Sequence, residues 1–375
     1  MAVSKTYLTK FCLIAGLLGL VAAGCEKKDT PTAQPDKTNE GAEKNQKADD
    51  TPIAEMSKQQ LISTARKKTD PFGTLPDTFP SEDNPITEEK VKLGRMLYYD
   101  KRFSKDNSIS CNSCHMLDEY GVDRRPTSPG HDDTRGPRNS PTVYNAAGHI
   151  SQFWDGRAAD VEEQAKGPVL NPIEMGMPSK EKVNEQLTQI DGYPKLFKKA
   201  FPEQANPANF DNMAKAIGAF ERKLTTPGSD WDKFLKGDDS AMTEKQLKGF
   251  LTFRETGCDT CHTGELVGGS MYQKLGLVKP WPDKEDLGRY EVTEKESDKM
   301  KFKVPSLRNV TETAPYYHDG SIESLEKAVR KMAVHQLGKE LSDQQVEYII
   351  AYLESLTGEI PSDYVEKPTL PGNQG

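Results

Sequence analysis

Two five-residue words in this chain carry the residue types for covalent cofactor chemistry: Cys111-Asn112-Ser113-Cys114-His115 and Cys258-Asp259-Thr260-Cys261-His262. In a C-x-x-C-H word, two thiols can add across the vinyl groups of a porphyrin while the adjoining imidazole binds its iron, the attachment signature of c-type haem. The spacing has a physical basis. Two intervening residues put both sulfurs on one side of a tight turn, and the histidine that follows brings a nitrogen to the metal without closing a long loop. Two words therefore predict two covalently bound haem c groups. Paired cysteines at this spacing also make four-thiolate zinc sites. Against zinc, each pair ends in histidine, the pairs stand about 150 residues apart rather than the roughly 15–20 of a ribbon, and the chain opens on an export-like segment. Thioredoxin-like chemistry needs one pair beside a βαβ pattern and leaves the histidines unexplained.

The elements that must hold these words follow a repeated plan. In the first half, Thr87-Glu88-Glu89 opens a helix through Val91 and Leu97, ahead of the Cys111 word. In the second, Thr243-Glu244-Lys245-Gln246 is a capping box, and Leu247, Phe250 and Leu251 form an apolar stripe before Gly257 and the Cys258 word. Each half closes with a helix. Phe210, Met213, Ile217, Phe220 and Leu224 mark one, stopped at Pro227; Val346, Ile349, Ile350 and Leu353 mark the other, capped by Ser342 and ended at Gly358. Helix, haem word, loops and closing helix is the order of the cytochrome c fold, and strand patterns are scarce. The expected fold class is mainly α, with two cytochrome c-like haem domains with long loops at residues 56–228 and 229–360, then a tail, 361–375. Domains of about 150 residues are ordinary in size. Only 34% of the chain is hydrophobic, which is lean, and buried porphyrin would add apolar area that the composition does not count. Of six cysteines, four lie in the haem words and the others are Cys12 and Cys25, so tethered haems rather than disulfides must brace the body of the chain.

Residues 1–25 read as a targeting segment, with Lys5 and Lys10 before the apolar run Phe11 to Ala23, short for a bilayer span of about 20 residues. The run ends in Val21-Ala22-Ala23-Gly24-Cys25, which resembles a bacterial lipoprotein cleavage box with Cys25 as the acylated residue, although Ala22 stands where leucine is commoner. An ordinary signal peptide cut nearby is the other reading, and both export the protein to the periplasm. Residues 26–55 are charged and polar with almost no large apolar side chain, a composition that cannot fold and makes a linker able to tether the body to a membrane.

From about Thr87 to Ser355 the chain resembles the bacterial dihaem cytochrome c peroxidases. The match runs in order through Gly136-Pro137-Arg138-Asn139-Ser140-Pro141-Thr142, Phe153-Trp154-Asp155-Gly156-Arg157, Asn171-Pro172-Ile173-Glu174-Met175-Gly176 and Ala314-Pro315-Tyr316-Tyr317-His318-Asp319-Gly320. The resemblance implies that the first haem is a low-potential peroxidatic site with His115 proximal and His131 a distal ligand able to leave. The loop Ser128-Pro129-Gly130-His131-Asp132-Asp133 suits a movable ligand, and a solvated surface histidine is the plainer alternative. Glu174 is implied as the proton carrier, because cleaving an O–O bond needs a proton moved from one oxygen to the other. In its apolar stretch it would be partly buried with a raised pKa, or else a helix-terminal carboxylate on the surface. Gln164 falls at the position of the family's companion glutamine.

For the second haem the implied ligands are His262 and Met332, a pair that raises reduction potential. Met332 continues the stripe of Leu325, Ala328 and Val329, where methionine is commonly core filler, and His335 and His318 are rival donors. Trp154 corresponds to the family's tryptophan between the haems and is equally suited to plain packing. Asn139, Thr313 and Pro315 match positions that hold a calcium ion through oxygen atoms, partly main-chain. The function implied is that of a periplasmic cytochrome-c peroxidase: hydrogen peroxide, two electrons and two protons give two waters, with electrons from a small c-type cytochrome or a cupredoxin. A plain dihaem electron carrier would need neither Glu174 nor a displaceable His131, and a protein-modifying dihaem oxidase would carry tyrosine where Met332 stands. A net charge of −8 and a pI near 5.5 favour a basic donor and argue against nucleic acid. Relatives are commonly homodimers.

Overall fold

The capping signals act where the sequence puts them. In the computed structural model, which describes residues 51–372, the Thr87 hydroxyl accepts from Lys90 N–H, and Thr243 and Ser342 each form reciprocal boxes with Gln246 and Gln345. These side chains satisfy N–H groups that the first helical turn leaves free. The longer helices are α1 (Lys58–Arg66), α2 (Glu88–Tyr99), α3 (Val161–Leu170), α4 (Lys180–Gln189), α5 (Tyr193–Ala200), α6 (Phe210–Glu221), α7 (Asp230–Leu235), α8 (Glu244–Thr256), α9 (Leu325–Met332) and α10 (Asp343–Glu354). Among the described residues the one sheet pairs β1 (Tyr272–Lys274) with β2 (Lys301–Lys303), antiparallel, with Tyr272 opposite Lys303. The fold is mainly α, as expected. The export segment, Cys12, Cys25 and most of the linker lie outside the described residues.

Two helix ends differ from the sequence reading. α6 stops at Glu221, because the chain turns at once and Leu224 N–H donates to the Glu221 carbonyl at 2.9 Å, so Leu224 is buried as part of a turn. α10 stops at Glu354, where the Ser355 hydroxyl donates to Tyr352 O at 2.6 Å. Gly358 does not cap that helix. It lets two strands of backbone touch, since a Cβ there would lie 2.0 Å from Thr226 O.

Two cores follow from two helix crossings built the same way. In the first, α2 meets α6, and a Cβ on Gly94 would stand 1.9 Å from Ala216 O. In the second, α8 meets α10, and a Cβ on Gly249 would stand 1.9 Å from Tyr348 O. Around these contacts Leu93, Leu97, Ile217 and Phe220 fill one core and Leu247, Phe250, Ile349 and Tyr352 the other. Each fully buried side chain of this kind contributes about 1.5–3 kcal/mol. The two halves exchange their ends: Leu61, Ile62 and Ala65 of α1 pack in the second core, while Ile360, Tyr364 and Val365 pack on the first. Arg308, 1% exposed, pins the second half by donating to Asp232, Ser229 Oγ, Glu265 O and Gly73 O.

Candidate functional site

The second haem word hangs from the end of α8. Gly257 takes φ +95°, a left-handed conformation that glycine adopts without strain, and turns the chain through Cys258 to His262. His262 Nδ1–H donates to Val267 O at 3.3 Å, which leaves Nε2 as the nitrogen available to a metal. Cys258, Cys261 and His262 line one mostly apolar cavity, the kind of concave site in which small molecules and cofactors bind. Met332 lines the same cavity, together with Leu325, Ala328 and Val329. That explains an oddity of α9: its apolar stripe is well formed and Leu325 and Val329 pack on the second core, yet no residue of the helix is buried, because the stripe also faces this cavity. Directly after Met332 the helix widens into a π turn, Ala333–Leu337, a distortion frequent at functional sites. Of the rival donors, His335 donates from Nδ1 to Lys279 O at 2.9 Å and packs on Trp281 without lining the cavity. His318 does line it, with its ring on Phe302 at 4.3 Å.

The first word forms one helical turn, Cys111–Cys114, after Ser110. His115 is held from two sides: Nδ1–H donates to Pro141 O at 2.9 Å, and Tyr98 OH donates to His115 O at 2.6 Å. Two further segments lie over this word. The hairpin-like loop closed by Pro129 and Arg135 carries His131, and its Ser128 hydrogen-bonds the Cys114 thiol. The second segment carries Glu174, whose charge is felt at that same thiol. The two segments are tied together. His131 N–H donates to Glu174 O at 2.8 Å, and a Cβ on Gly176 would fall 2.5 Å from the His131 ring, so only glycine leaves the imidazole its place. Burial raises the Glu174 pKa, opposed by the field of Arg157 and a hydrogen bond with Asn171. Gln164 sits half-buried on α3, and among the described contacts its side chain makes no bond to Glu174.

Between the two words the chain is cross-braced. Arg138 binds Asp155, Asp286 at 2.7 Å and Glu291 at 3.0 Å. Trp154 lines the cavity of the Cys258 word, and its Nε1–H donates to Asn139 O at 2.9 Å. Asn139, Thr313 and Pro315 line one stretch of that wall. Asn139 N–H donates to His318 O at 2.7 Å and its Nδ2 to Arg125 O and Pro126 O, which leaves Oδ1 uncommitted. Sequence reasoning passed over Arg138, Asp155 and Arg157, although all three stand inside the matched motifs.

Both words fit haem. All four thiols are unpaired, and each proximal imidazole has one nitrogen fixed by a main-chain oxygen. Zinc fits poorly, because Cys111 packs on the first core and Cys258 on the second, so the two pairs do not meet in one four-thiolate site. Among the described residues no cluster of three or more His, Cys, Asp or Glu is placed to hold a metal.

A helical scaffold with two such words and a half-buried carboxyl beside one of them has the architecture of a dihaem c-type enzyme. A family model for di-haem cytochrome c peroxidase matches residues 88–240. The cytochrome c551 peroxidase of Pseudomonas aeruginosa is 47% identical over 294 residues, 77% of this chain and 84% of that protein. That of Nitrosomonas europaea is 44% identical over 288 residues, 76% of this chain and 85% of that protein. Among solved structures, a MauG-like protein associated with microbial copper homeostasis aligns with a TM-score of 0.70 at 29% identity, covering 79% of this chain and 97% of that one. The chain belongs to the di-haem cytochrome c peroxidase family. It is an oxidoreductase that carries two haem c groups and takes peroxide as its electron acceptor.

Proposed function

We propose that this chain reduces hydrogen peroxide to water in the periplasm with electrons from a small c-type cytochrome or cupredoxin, its N-terminal half (56–228) peroxidatic and its C-terminal half (229–360) electron-receiving. Each haem, when bound, supplies an iron for electron transfer or peroxide reduction, held by Cys111, Cys114 and His115 in one half and by Cys258, Cys261, His262 and Met332 in the other. Glu174 takes the proton from one peroxide oxygen and returns it to the other. Its raised pKa suits it to hold a proton nearer neutral pH than a solvated carboxylate does. Gln164 orients peroxide beside it. His131 leaves with its loop to open the site, and the bond from its N–H to Glu174 O couples that movement to the segment that carries the acid. Trp154 bridges the two halves for electron passage. Asn139, Thr313 and Pro315 would hold a calcium ion through oxygen atoms, partly main-chain, and so brace the junction. A lipid on Cys25 tethers the protein, and the mature form is a homodimer.

The observation that carries this reading is the half-buried Glu174, its pKa raised, linked to the His131 loop beside the first haem word. The test is peroxide-dependent oxidation of a reduced cytochrome by the haem-loaded protein, before and after pre-reduction. Turnover supports the reading; a protein that accepts electrons yet leaves peroxide untouched is a carrier, and the reading fails. Calcium chelation should lower turnover, and the mass of the mature N-terminus decides the lipid.

A further inference from the structure

Beside the cavity of the Cys258 word a lysine is buried without a counter-ion. Lys303, at the end of β2, is 6% exposed and is the one Lys or Arg among the residues lining that cavity, which include no Asp or Glu. Its Nζ donates to Ser151 O and to His149 Nδ1, each at 2.8 Å, which uses two of its three N–H donors. Because His149 accepts at Nδ1, its proton is on Nε2, and that N–H is buried with no partner. Burial, then the nearby Lys303, holds the His149 pKa well below its ordinary value, so the imidazole stays neutral.

No other group supplies the missing charge. Asp155, whose field reaches Lys303, is already taken by Arg138 and Arg157, and Asp286 is likewise bound to Arg138. Across the ladder stands Tyr272, which hydrogen-bonds the Ser151 hydroxyl and carries Arg289 on its ring. Burial pushes the Lys303 pKa down to about 7, against the field of Asp155. An ammonium taken out of water costs several kcal/mol unless an anion meets it. Haem bears two propionate carboxylates, and this wall offers them one cation.

We propose that Lys303 binds a carboxylate of the second haem, with His149 as the neutral prop that orients the ammonium, and that this charge holds the reduction potential of that haem up. The assignment rests on reading the Cys258 cavity as a haem pocket. Intact mass counts the attached haems, and a reductive titration followed in the visible spectrum gives the high-potential midpoint, in wild type, Lys303→Met and Lys303→Arg. Losing a positive charge near the iron favours the oxidised state. Lys303→Met should shift the reduction equilibrium at least tenfold, about 59 mV, toward oxidation, while Lys303→Arg stays near wild type. A Met variant with both haems and the wild-type midpoint overturns the proposal. Loss of the haem at Cys258 and Cys261 in the Met variant supports it where the Arg variant keeps that haem, and overturns it where both variants lose it. A wild-type protein with no haem on Cys258 and Cys261 removes the pocket reading itself, a result distinct from the others.

Discussion

Replacing Glu174 by glutamine keeps the shape of the side chain and removes its ability to take and return a proton. If it does the proton transfer, Glu174→Gln should lower peroxide turnover by roughly 10²–10⁴-fold, the usual contribution of a positioned acid or base, which is about 3–5 kcal/mol of barrier. Both haems should remain attached, because the residue contributes no thiol or imidazole. The pH profile gives a sharper test. Burial raises the Glu174 pKa, so the ionised form that accepts the proton is lost as pH falls through a value above the ordinary carboxylate range. The acid limb of kcat/KM for peroxide should sit correspondingly high and vanish in the glutamine variant. Arg157 and Asn171 both pull that pKa down, so Arg157→Met or Asn171→Ala should move the limb to higher pH. Steady-state oxidation of a reduced cytochrome across the pH range reads all three. Turnover within tenfold of wild type in Glu174→Gln, or a limb that moves to lower pH in both other variants, would refute the assigned role.

Glu221, buried on α6, has its pKa raised to about 8 from an ordinary 4.5, by desolvation first and then by Glu162. The folded state therefore prefers the protonated acid: stability is full below about 4.5 and is lost as pH rises toward about 8. Denaturation followed between these limits should show that decline in wild type and a flatter profile in Glu221→Gln. Arg308→Met leaves the buried Asp232 carboxylate without its cation and should cost about 3–5 kcal/mol in chemical denaturation, a loss that Arg308→Met with Asp232→Leu should partly recover. Gly249→Ala places a methyl 1.9 Å from Tyr348 O and should destabilise by at least about 1–3 kcal/mol, read as a lower Tm, with Gly94→Ala acting alike in the first core.

The parts of this protein legible in its sequence are those whose signals are local. Thr87, Thr243 and Ser342 start helices because a cap needs a side-chain oxygen three residues before an N–H, and the chain alone states that. The C-x-x-C-H words are local for the same reason. Helix ends were less legible, since α6 and α10 stop where tertiary turns intervene, and Gly358 serves a contact with Thr226 far away in sequence. The glycines at the two crossings, Gly94 and Gly249, look like helix defects until the partner backbone is in view.

What the sequence conceals most is a structure made partly of something that is not protein. A helix with a clean apolar stripe ordinarily buries it, and the pattern Leu325, Ala328, Val329, Met332 gave no reason to expect otherwise. Leu325 and Val329 pack on the second core, yet all four residues of the stripe also line the cavity at the Cys258 word, so part of this helix's apolar face is turned to a space that protein does not fill. The same reasoning covers the lean composition, because porphyrin supplies the apolar area that the 34% hydrophobic content lacks. It covers Lys303 as well. A lysine in a β-strand reads as a solvated edge, and only its burial beside an otherwise uncharged wall shows that its counter-ion must arrive with the group the cavity was shaped to hold.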